Sequence, residues 1–253
     1  MTGTAGRPKT VLITGGRRVG AELARSLAAS GWRVAMTYRT SREAIERAIA
    51  DVEAAGSEGL AVAADLTDPA QADHAVDAAV ARFGRLDALV NMASIYKKTP
   101  FDQLTPADFD AMVAANLAAP YHAALAAARR MTAQPAHDGI KGKIVFVGDW
   151  ATERPYKGYL PYLAAKGGMT TLATALAVEL APSIPVATVQ PAMIEPPPDL
   201  TEAERQSVLN ATPLRRFGSP ADVNRLIAYL LDGTNFVTGV CYRVDGGRFL
   251  GDG

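Results

Sequence analysis

The sequence of 253 residues has few of the residues that mark several common protein classes. Its only cysteine is Cys241, which excludes an intramolecular disulfide and a cysteine-cluster metal site. The three histidines, His74, His122 and His137, do not have the spacing of a metal-ligand motif. Basic and acidic residues number 26 each, and this zero net charge argues against recognition of nucleic acid or an anionic membrane through bulk electrostatics.

Long hydrophobic runs are also lacking. No run approaches the ~18–20 apolar residues that a membrane-spanning helix needs. Residues 1–10 are polar, so we expect no signal peptide. With 49% apolar residues, the chain is long enough to bury a large core. We therefore expect a cytoplasmic globular protein in which residues 1–253 form a single domain.

Short apolar runs alternate with longer amphipathic segments along most of the chain. The short runs are apolar on both faces, as is typical of parallel strands covered by helices, and the longer segments have apolar residues at i, i+3 and i+4. The predicted strands are residues 10–14, 33–38, 60–64, 87–91, 143–148, 185–190 and 240–244. The main predicted helices are residues 21–29, 43–55, 70–83, 106–131 and 162–180. This alternation predicts one doubly wound α/β domain.

A glycine-rich turn joins the first predicted strand to the first predicted helix. Residues 14–20 read TGGRRVG. Glycines at such a turn let the backbone approach a pyrophosphate, and the free N–H groups at the start of a helix favour an anion. An ordinary glycine turn has the same residues, but the position after the first strand favours dinucleotide binding.

The segment after the second predicted strand, residues 38–41, reads YRTS and contains no acid. Folds that prefer NAD place an Asp or Glu there to bind the ribose 2′-hydroxyl. Arg39 and the neighbouring hydroxyls suit a 2′-phosphate instead, and Arg17 and Arg18 add positive charge. Ser41 is also a candidate N-cap of the next helix. We therefore predict NADP(H) rather than NAD(H).

Tyr162 and Lys166 lie four residues apart on one face of a predicted helix. A free tyrosine has a pKa near 10, and an ammonium group about 4 Å away lowers such a pKa by roughly two to three units at an effective dielectric near 20. The pair can therefore act as a proton donor of tuned pKa. Such pairs are also common on helix surfaces, so the pair alone does not define a site.

Several motifs stand in a fixed order along the chain: the glycine turn, NMAS at residues 91–94, Asn116, YLAAK at residues 162–166, Pro191, and VDGG at residues 244–247. Together they resemble the short-chain dehydrogenase/reductase family over essentially the whole chain. The resemblance implies a Rossmann-type, parallel seven-stranded sheet with helices on both faces, a nicotinamide cofactor and a homotetramer.

The resemblance also implies roles for individual residues. Tyr162 is the proton donor, Lys166 binds the nicotinamide ribose and lowers the tyrosine pKa, and Asn116 holds a water of the proton relay. Asp65 lies at the adenine. The cofactor-binding residues that it implies are Gly15, Arg17, Arg18, Val19, Tyr38, Arg39, Thr40, Ser41, Asp65, Leu66, Asn91, Ala93, Ser94, Tyr162, Lys166, Pro191 and Ile194, with Asn91 and Ala93 beside the adenosine ribose.

Asp149, thirteen residues before Tyr162, departs from the family pattern, which usually has a serine there. A serine hydroxyl donates to a carbonyl oxygen, whereas an ionised carboxylate only accepts. Its charge also opposes a developing oxyanion and raises the tyrosine pKa. Asp149 therefore favours a substrate with N–H donors that is protonated at a ring nitrogen. The alternative is that Asp149 caps a turn in a disabled enzyme.

An Asp in this position resembles the pteridine reductases, a branch that includes dihydromonapterin (dihydrofolate) reductases. Arg18 matches their arginine between the cofactor phosphate and the pterin, and Tyr96 matches their aromatic ring that stacks on the pterin. The substrate-binding residues implied are Arg18, Ser94, Tyr96, Asp149 and Tyr162. Residues 195–210 are expected to cover the substrate, with a capping box at Thr201 and Glu204, although a passive proline-rich connector is the alternative.

Three departures accompany this resemblance. The glycine turn is one residue shorter than the family pattern, Met92 replaces an Asn, and Ala192 replaces a Gly. We predict an NADPH-dependent reductase that transfers hydride to C6 of a 7,8-dihydropterin, with dihydrofolate as a further candidate substrate. The alternatives are a carbonyl or 3-oxoacyl-thioester reductase of the same family and a non-catalytic NADP-binding sensor or scaffold. We expect no metal, nucleic acid or membrane partner.

Overall fold

A computed structural model describes residues 7–196 and 200–251. The strands in this part of the chain are β1 (Thr10–Thr14), β2 (Arg33–Tyr38), β3 (Gly59–Ala63), β4 (Ala88–Asn91), β5 (Lys143–Val147), β6 (Val186–Pro191) and β7 (Val240–Val244). The helices are α1 (Val19–Ala29), α2 (Arg42–Ala54), α3 (Pro69–Phe83), α4 (Pro106–Val113), α5 (Ala119–Ala133), α6 (Leu160–Glu179), α7 (Glu202–Asn210) and α8 (Pro220–Ala228). All seven strands pair in parallel in the order β3-β2-β1-β4-β5-β6-β7.

Each face of this sheet is covered by its own hydrophobic core. Leu12 and Phe146 point to the face covered by α3, α5 and α6. Val11 and Ile13 alternate with Leu12 along β1 and point to the other face, which α1, α2 and α8 cover. This arrangement explains why the strands are apolar on both faces. The expected doubly wound Rossmann-type sheet of seven strands is confirmed.

The predicted strands agree with the structure to within one or two residues, and the helices agree less well. Residues 106–131 were predicted as one helix, but a π-helical segment, Ala114–Ala118, separates α4 from α5. The sequence analysis does not predict the helix α8. The capping box that begins α7 is confirmed, since Thr201 accepts from the Glu204 amide and the Glu204 carboxylate accepts from the Thr201 amide. Ser41 occupies the N-cap position of α2 without a side-chain hydrogen bond.

Other parts of the predictions fall on residues outside the described ranges. These are the polar start of the chain, residues 1–6, and residues 197–199 within the expected substrate-covering segment. The stretch Pro106–Ala133 is long and apolar enough to cross a membrane by length and composition, but 56% of its apolar window is buried inside the protein. That burial is typical of a core helix.

The glycine turn packs tightly against the end of β4. Gly15 and Gly16 have positive φ angles of 60° and 81°. A Cβ atom on Gly15 would lie 3.0 Å from the Ala93 Cα atom, and one on Gly16 would lie 2.7 Å from the Met92 sulfur. Glycine is therefore needed at both positions for conformational and steric reasons.

Candidate active site

The candidate site lies at the carboxyl edge of the sheet, where the strand ends and the following loops surround two adjoining clefts. Open α/β sheets bind their ligands at this edge. The first cleft has a volume of about 490 Å³. Most of the predicted cofactor-binding residues line it: Gly15, Arg17, Arg18, Val19, Tyr38, Arg39, Thr40, Ser41, Asp65, Leu66, Ala93 and Ser94.

The second cleft, of about 1040 Å³, contains the predicted catalytic and substrate-binding residues. Its lining includes Arg18, Ser94, Tyr96, Asp149, Tyr162, Lys166, Pro191 and Ile194. Arg18, Val19, Met92 and Ser94 line both clefts. A dinucleotide in the first cleft can therefore reach the catalytic side chains in the second.

Asn91 and Asn116 are predicted site residues that lie outside both clefts. The Asn91 side chain is 3% exposed, and its amide donates to the Pro120 carbonyl at 3.4 Å. Its side chain points into the protein at the end of β4, and the position of Asn91 beside the adenosine ribose stays a prediction. The Asn116 oxygen accepts from Ser94 Oγ at 2.7 Å and from the Ile95 amide at 3.2 Å. Asn116 thus holds the segment after β4, and its role in holding a water stays a prediction.

Asp149 makes two contacts with its two carboxylate oxygens. One oxygen accepts from the Ala151 amide at 2.9 Å and caps the short 3₁₀ helix Trp150–Thr152. The other accepts from the Tyr162 hydroxyl at 2.8 Å. The structure shows the capping contact and the contact with Tyr162 in one side chain, and the catalytic role of Asp149 stays a prediction.

Burial and neighbouring charges shift the pKa values of Asp149 and Tyr162. Burial raises the pKa of Asp149 above its ordinary value. Burial and then the Asp149 carboxylate hold the pKa of Tyr162 well above its usual value. Tyr162 is therefore protonated and donates to Asp149.

The two roles predicted for Lys166, binding the nicotinamide ribose and lowering the pKa of Tyr162, stay predictions. Burial lowers the pKa of Lys166 to about 8, and its Nζ donates to the Val147 carbonyl at 2.8 Å. In the structure, burial and the Asp149 carboxylate raise the pKa of the Tyr162 phenol. The Lys166 pKa of about 8 lies near neutral pH, which suits a group that exchanges protons.

Tyr96 belongs to a cluster of aromatic rings. Its ring stacks on Tyr159 with centroids 4.5 Å apart and an interplanar angle of 15°, and it meets the edge of Tyr162 at 5.0 Å. Its hydroxyl lies 3.1 Å from that of Tyr156. Tyr159 therefore covers one face of the ring that was predicted to stack on the substrate. Sequence reasoning missed Tyr156, Tyr159 and Trp150, although all three lie between Asp149 and Tyr162.

Arginines approach carboxylates at the boundaries of the two clefts. Arg18 lies 3.7 Å from Glu195, which follows β6, so the ion pair joins the glycine turn to the predicted substrate-covering segment. Arg39 lies 3.5 Å from Asp65 across the first cleft. Both arginines are more than half exposed, and both pairs can exchange a carboxylate for a ligand phosphate.

The residues of the first cleft fit a dinucleotide. A Cβ atom on either turn glycine would collide with the end of β4, so the turn keeps its backbone free of side chains. The start of α1 follows at once, and helix starts stabilise anions. Arg39 lies beside the end of β2, where a ribose 2′-substituent is bound in this fold.

A parallel doubly wound sheet with this turn, joined to a buried tyrosine, lysine and carboxylate, defines a dinucleotide-dependent oxidoreductase. The family model described as short chain dehydrogenase matches residues 9–207, and the chain belongs to this family. It is 30% identical to a 3-oxoacyl-[acyl-carrier-protein] reductase from Synechocystis sp. over 98% of this chain and 99% of that protein. Similar solved structures include acetoin dehydrogenase from Enterobacter cloacae, with a TM-score of 0.87 and 29% identity over 98% of both chains. A dehydrogenase/reductase from Sinorhizobium meliloti 1021 has a TM-score of 0.85 and 34% identity over 95% of this chain and 94% of that chain.

Proposed function

We propose that this oxidoreductase reduces a pterin ring, converting a 7,8-dihydropterin to the tetrahydropterin. The observation that carries the proposal is the hydrogen bond between Tyr162 and Asp149 in the wall of the second cleft, which we call the substrate cleft. A carboxylate there accepts N–H donors of an aminopyrimidine ring and repels the oxyanion that forms when a ketone is reduced. Tyrosine and tryptophan rings line the same cleft and suit a flat heteroaromatic substrate.

In this reaction the chain's own residues bind the substrate and deliver a proton. When held by the residues of the first cleft, a reduced nicotinamide cofactor would supply the hydride for C6 of the dihydropterin. Asp149 accepts from N–H groups of the ring and keeps the Tyr162 phenol protonated. The phenol donates its proton to N5, and Lys166, whose pKa is about 8, restores it.

Reduction of a 3-oxoacyl thioester is the second candidate function. The name of the Synechocystis relative favours it, because that protein matches this chain over nearly its whole length. In this reading, Asp149 is tolerated near the substrate carbonyl and its main role is to cap the turn at Ala151.

A substrate panel separates the two candidates. We would follow NADPH oxidation by absorbance with 7,8-dihydrobiopterin, dihydromonapterin, dihydrofolate, an acetoacetyl thioester and a simple ketone. Turnover of a dihydropterin is expected. Turnover of the thioester or ketone alone would establish the second candidate, and tight NADPH binding without turnover of any compound would support a sensor or scaffold.

Asp149→Asn and Asp149→Ser test the role of the carboxylate. Both replacements retain a side-chain oxygen that can cap the turn at Ala151, so thermal unfolding should change little and controls for misfolding. We expect dihydropterin turnover to fall by about a hundred-fold or more in both variants, as for loss of a group that positions a general acid. Retained dihydropterin turnover in the serine variant would contradict the proposal.

We further propose NADPH as the preferred cofactor, supported by Arg39 in the lining of the first cleft. Arg39→Asp should weaken NADPH binding by about ten-fold or more and leave NADH binding largely intact, because only NADPH carries the 2′-phosphate. Fluorescence titration with both cofactors measures this. Arg47→Asp makes the same change of charge on the exposed side of α2 and should alter neither affinity. Equal losses for both cofactors in the Arg39 variant would refute the assignment.

Two further expectations remain proposals: a homotetramer, which the family resemblance implies, and a cytoplasmic location, which the composition suggests. Gel filtration with light scattering measures the first, and fractionation of cells measures the second.

A further inference from the structure

The segment after β7, Gly246–Gly251, contributes Gly246, Gly247 and Arg248 to the wall of the substrate cleft, and two side chains hold the segment in place. The Asp245 carboxylate accepts from the amides of Gly247 at 3.0 Å and Phe249 at 2.9 Å. Arg154 donates to the Phe249 carbonyl at 2.8 Å and also to the carbonyl of Gly251. These bonds fix the backbone on both sides of Arg248.

Arg248 carries a buried nitrogen with an unmet hydrogen-bonding requirement. Within residues 7–196 and 200–251, its Nη1 is buried and has no acceptor. Its guanidinium lies 5.7 Å from the centre of the Trp150 ring, which also lines the cleft. Burial, together with the nearby Arg154 charge, lowers the pKa of Arg248, as expected for a cation that lacks a counter-ion.

Other arginines in the cleft differ from Arg248 because they already face carboxylates. Arg216 forms a bidentate ion pair with Asp222, with N–O distances of 2.8 and 3.1 Å. Arg243 binds Glu153 at 2.9 Å. In the described part of the chain, Arg248 has no carboxylate oxygen within 4.0 Å. Arg248 therefore brings to the cleft wall a positive charge that the protein does not neutralise.

We propose that Arg248 and Trp150 form a subsite for an anionic group, a carboxylate or a phosphate, in the part of the substrate remote from the reacting ring. The inference rests on the proposed function, because it assigns the substrate class of the same cleft. A guanidinium binds such groups through paired, charge-assisted hydrogen bonds, and Arg248, which lines the cleft, has no carboxylate partner among the described residues to give up first. Trp150 packs against the chain that leads to the anion. The enzyme then prefers pterins with a carboxylate-bearing tail over small neutral pterins.

The test compares substrates that share a reacting group and differ in the charge of the tail. Dihydrofolate carries tail carboxylates, and 7,8-dihydrobiopterin has a neutral tail. For the thioester reaction, acetoacetyl-CoA carries phosphates, and the N-acetylcysteamine thioester of acetoacetate does not. Rates on the neutral substrates test the proposed function, and the ratio of anionic to neutral substrate tests the subsite, so failure of one is distinguishable from failure of the other.

Arg248→Met removes the charge and keeps a side chain of similar length. We expect KM for the anionic substrate to rise by about ten-fold or more with kcat little changed, and both constants for the neutral substrate to stay within about two-fold. Arg248→Lys keeps the charge but loses the paired N–H donors of the guanidinium, and it should give an intermediate KM. Arg225→Met removes an exposed charge from α8 and is the matched control.

Two results would overturn the subsite. One is an equal rise in KM for the anionic and neutral substrates in Arg248→Met, since this indicates a role in packing alone. The other is an unchanged KM for dihydrofolate and for acetoacetyl-CoA alike. Preference for dihydrofolate identifies a carboxylate as the ligand group, and preference for the CoA thioester identifies a phosphate.

Discussion

At the residue scale, the side chains of the site do more than one task each. Asp149 caps a 3₁₀ turn with one oxygen and accepts from Tyr162 with the other. Asn116 belongs to a π-helical segment and also holds the segment after β4. Variants at these positions therefore need a measurement of folding beside the measurement of rate.

Tyr162→Phe tests the proton donor at this scale. The variant keeps the buried ring and removes the hydroxyl, so turnover should fall by about a hundred-fold or more, as for loss of a general acid. NADPH affinity, measured by fluorescence titration, should change much less. Tyr159→Phe is the matched control because its ring stacks on Tyr96 in the same cluster, and its turnover should stay within a few-fold.

Comparable turnover in the two tyrosine variants would contradict the assignment of Tyr162 as donor. That Tyr162, Lys166 and Asp149 lie in one cleft could be predicted from the sequence, since they stand at family positions, and their catalytic roles stay predictions. The direction of the tyrosine pKa could not be predicted in full, because it depends on how deeply the phenol and the ammonium are buried.

At the element scale, strands were easier to predict than helices. Buried parallel strands are apolar on both faces and end at polar residues, so their bounds are visible in the sequence. The helical period continues unbroken through Pro106–Ala133, and it gives no sign of the π-helical segment between α4 and α5. The helix α8 was missed although Ser219 and Asp222 form a capping box of the same kind as the one that marks α7 in the sequence.

At the scale of the whole molecule, the two clefts are built from segments that are remote in sequence. The ion pair of Arg18 with Glu195 and the contact of Arg154 with Gly251 each join distant loops. Pattern and periodicity place loops at an edge of the sheet but do not give the distances between them. The subsite at Arg248 was for this reason invisible in the sequence.

Lys143 supports the tertiary structure from the opposite edge of the sheet. It is 5% exposed, and its Nζ donates to the carbonyls of Leu230, Leu231 and Thr234 at 2.6–3.0 Å. These carbonyls lie in and just after the π-helical segment that follows α8, so Lys143 connects β5 to the end of this helical region. Lys143→Met should lower the free energy of unfolding by about 2–3 kcal/mol, because buried carbonyls lose their donor.

Denaturant unfolding measures this effect, with Lys141→Met as the control. Lys141 donates to the single carbonyl of Thr132 near the surface, and its loss should cost about 1 kcal/mol or less. Equal destabilisation by the two variants would show that the buried contacts of Lys143 contribute no more than an exposed one. Turnover of both variants below their unfolding temperatures should match that of the parent protein.

The segment that Arg154 holds against the cleft also affects how the protein should be handled. Gly251, the last residue that the structure describes, is bound by Arg154 three residues beyond Arg248, so a purification tag at the carboxyl terminus would follow closely on this segment in the sequence. The start of β1 lies at the opposite edge of the sheet from the strand ends that carry the clefts, so an amino-terminal tag would leave the segment after β7 unaltered. Assays of substrate preference are therefore best made with the amino-terminal fusion.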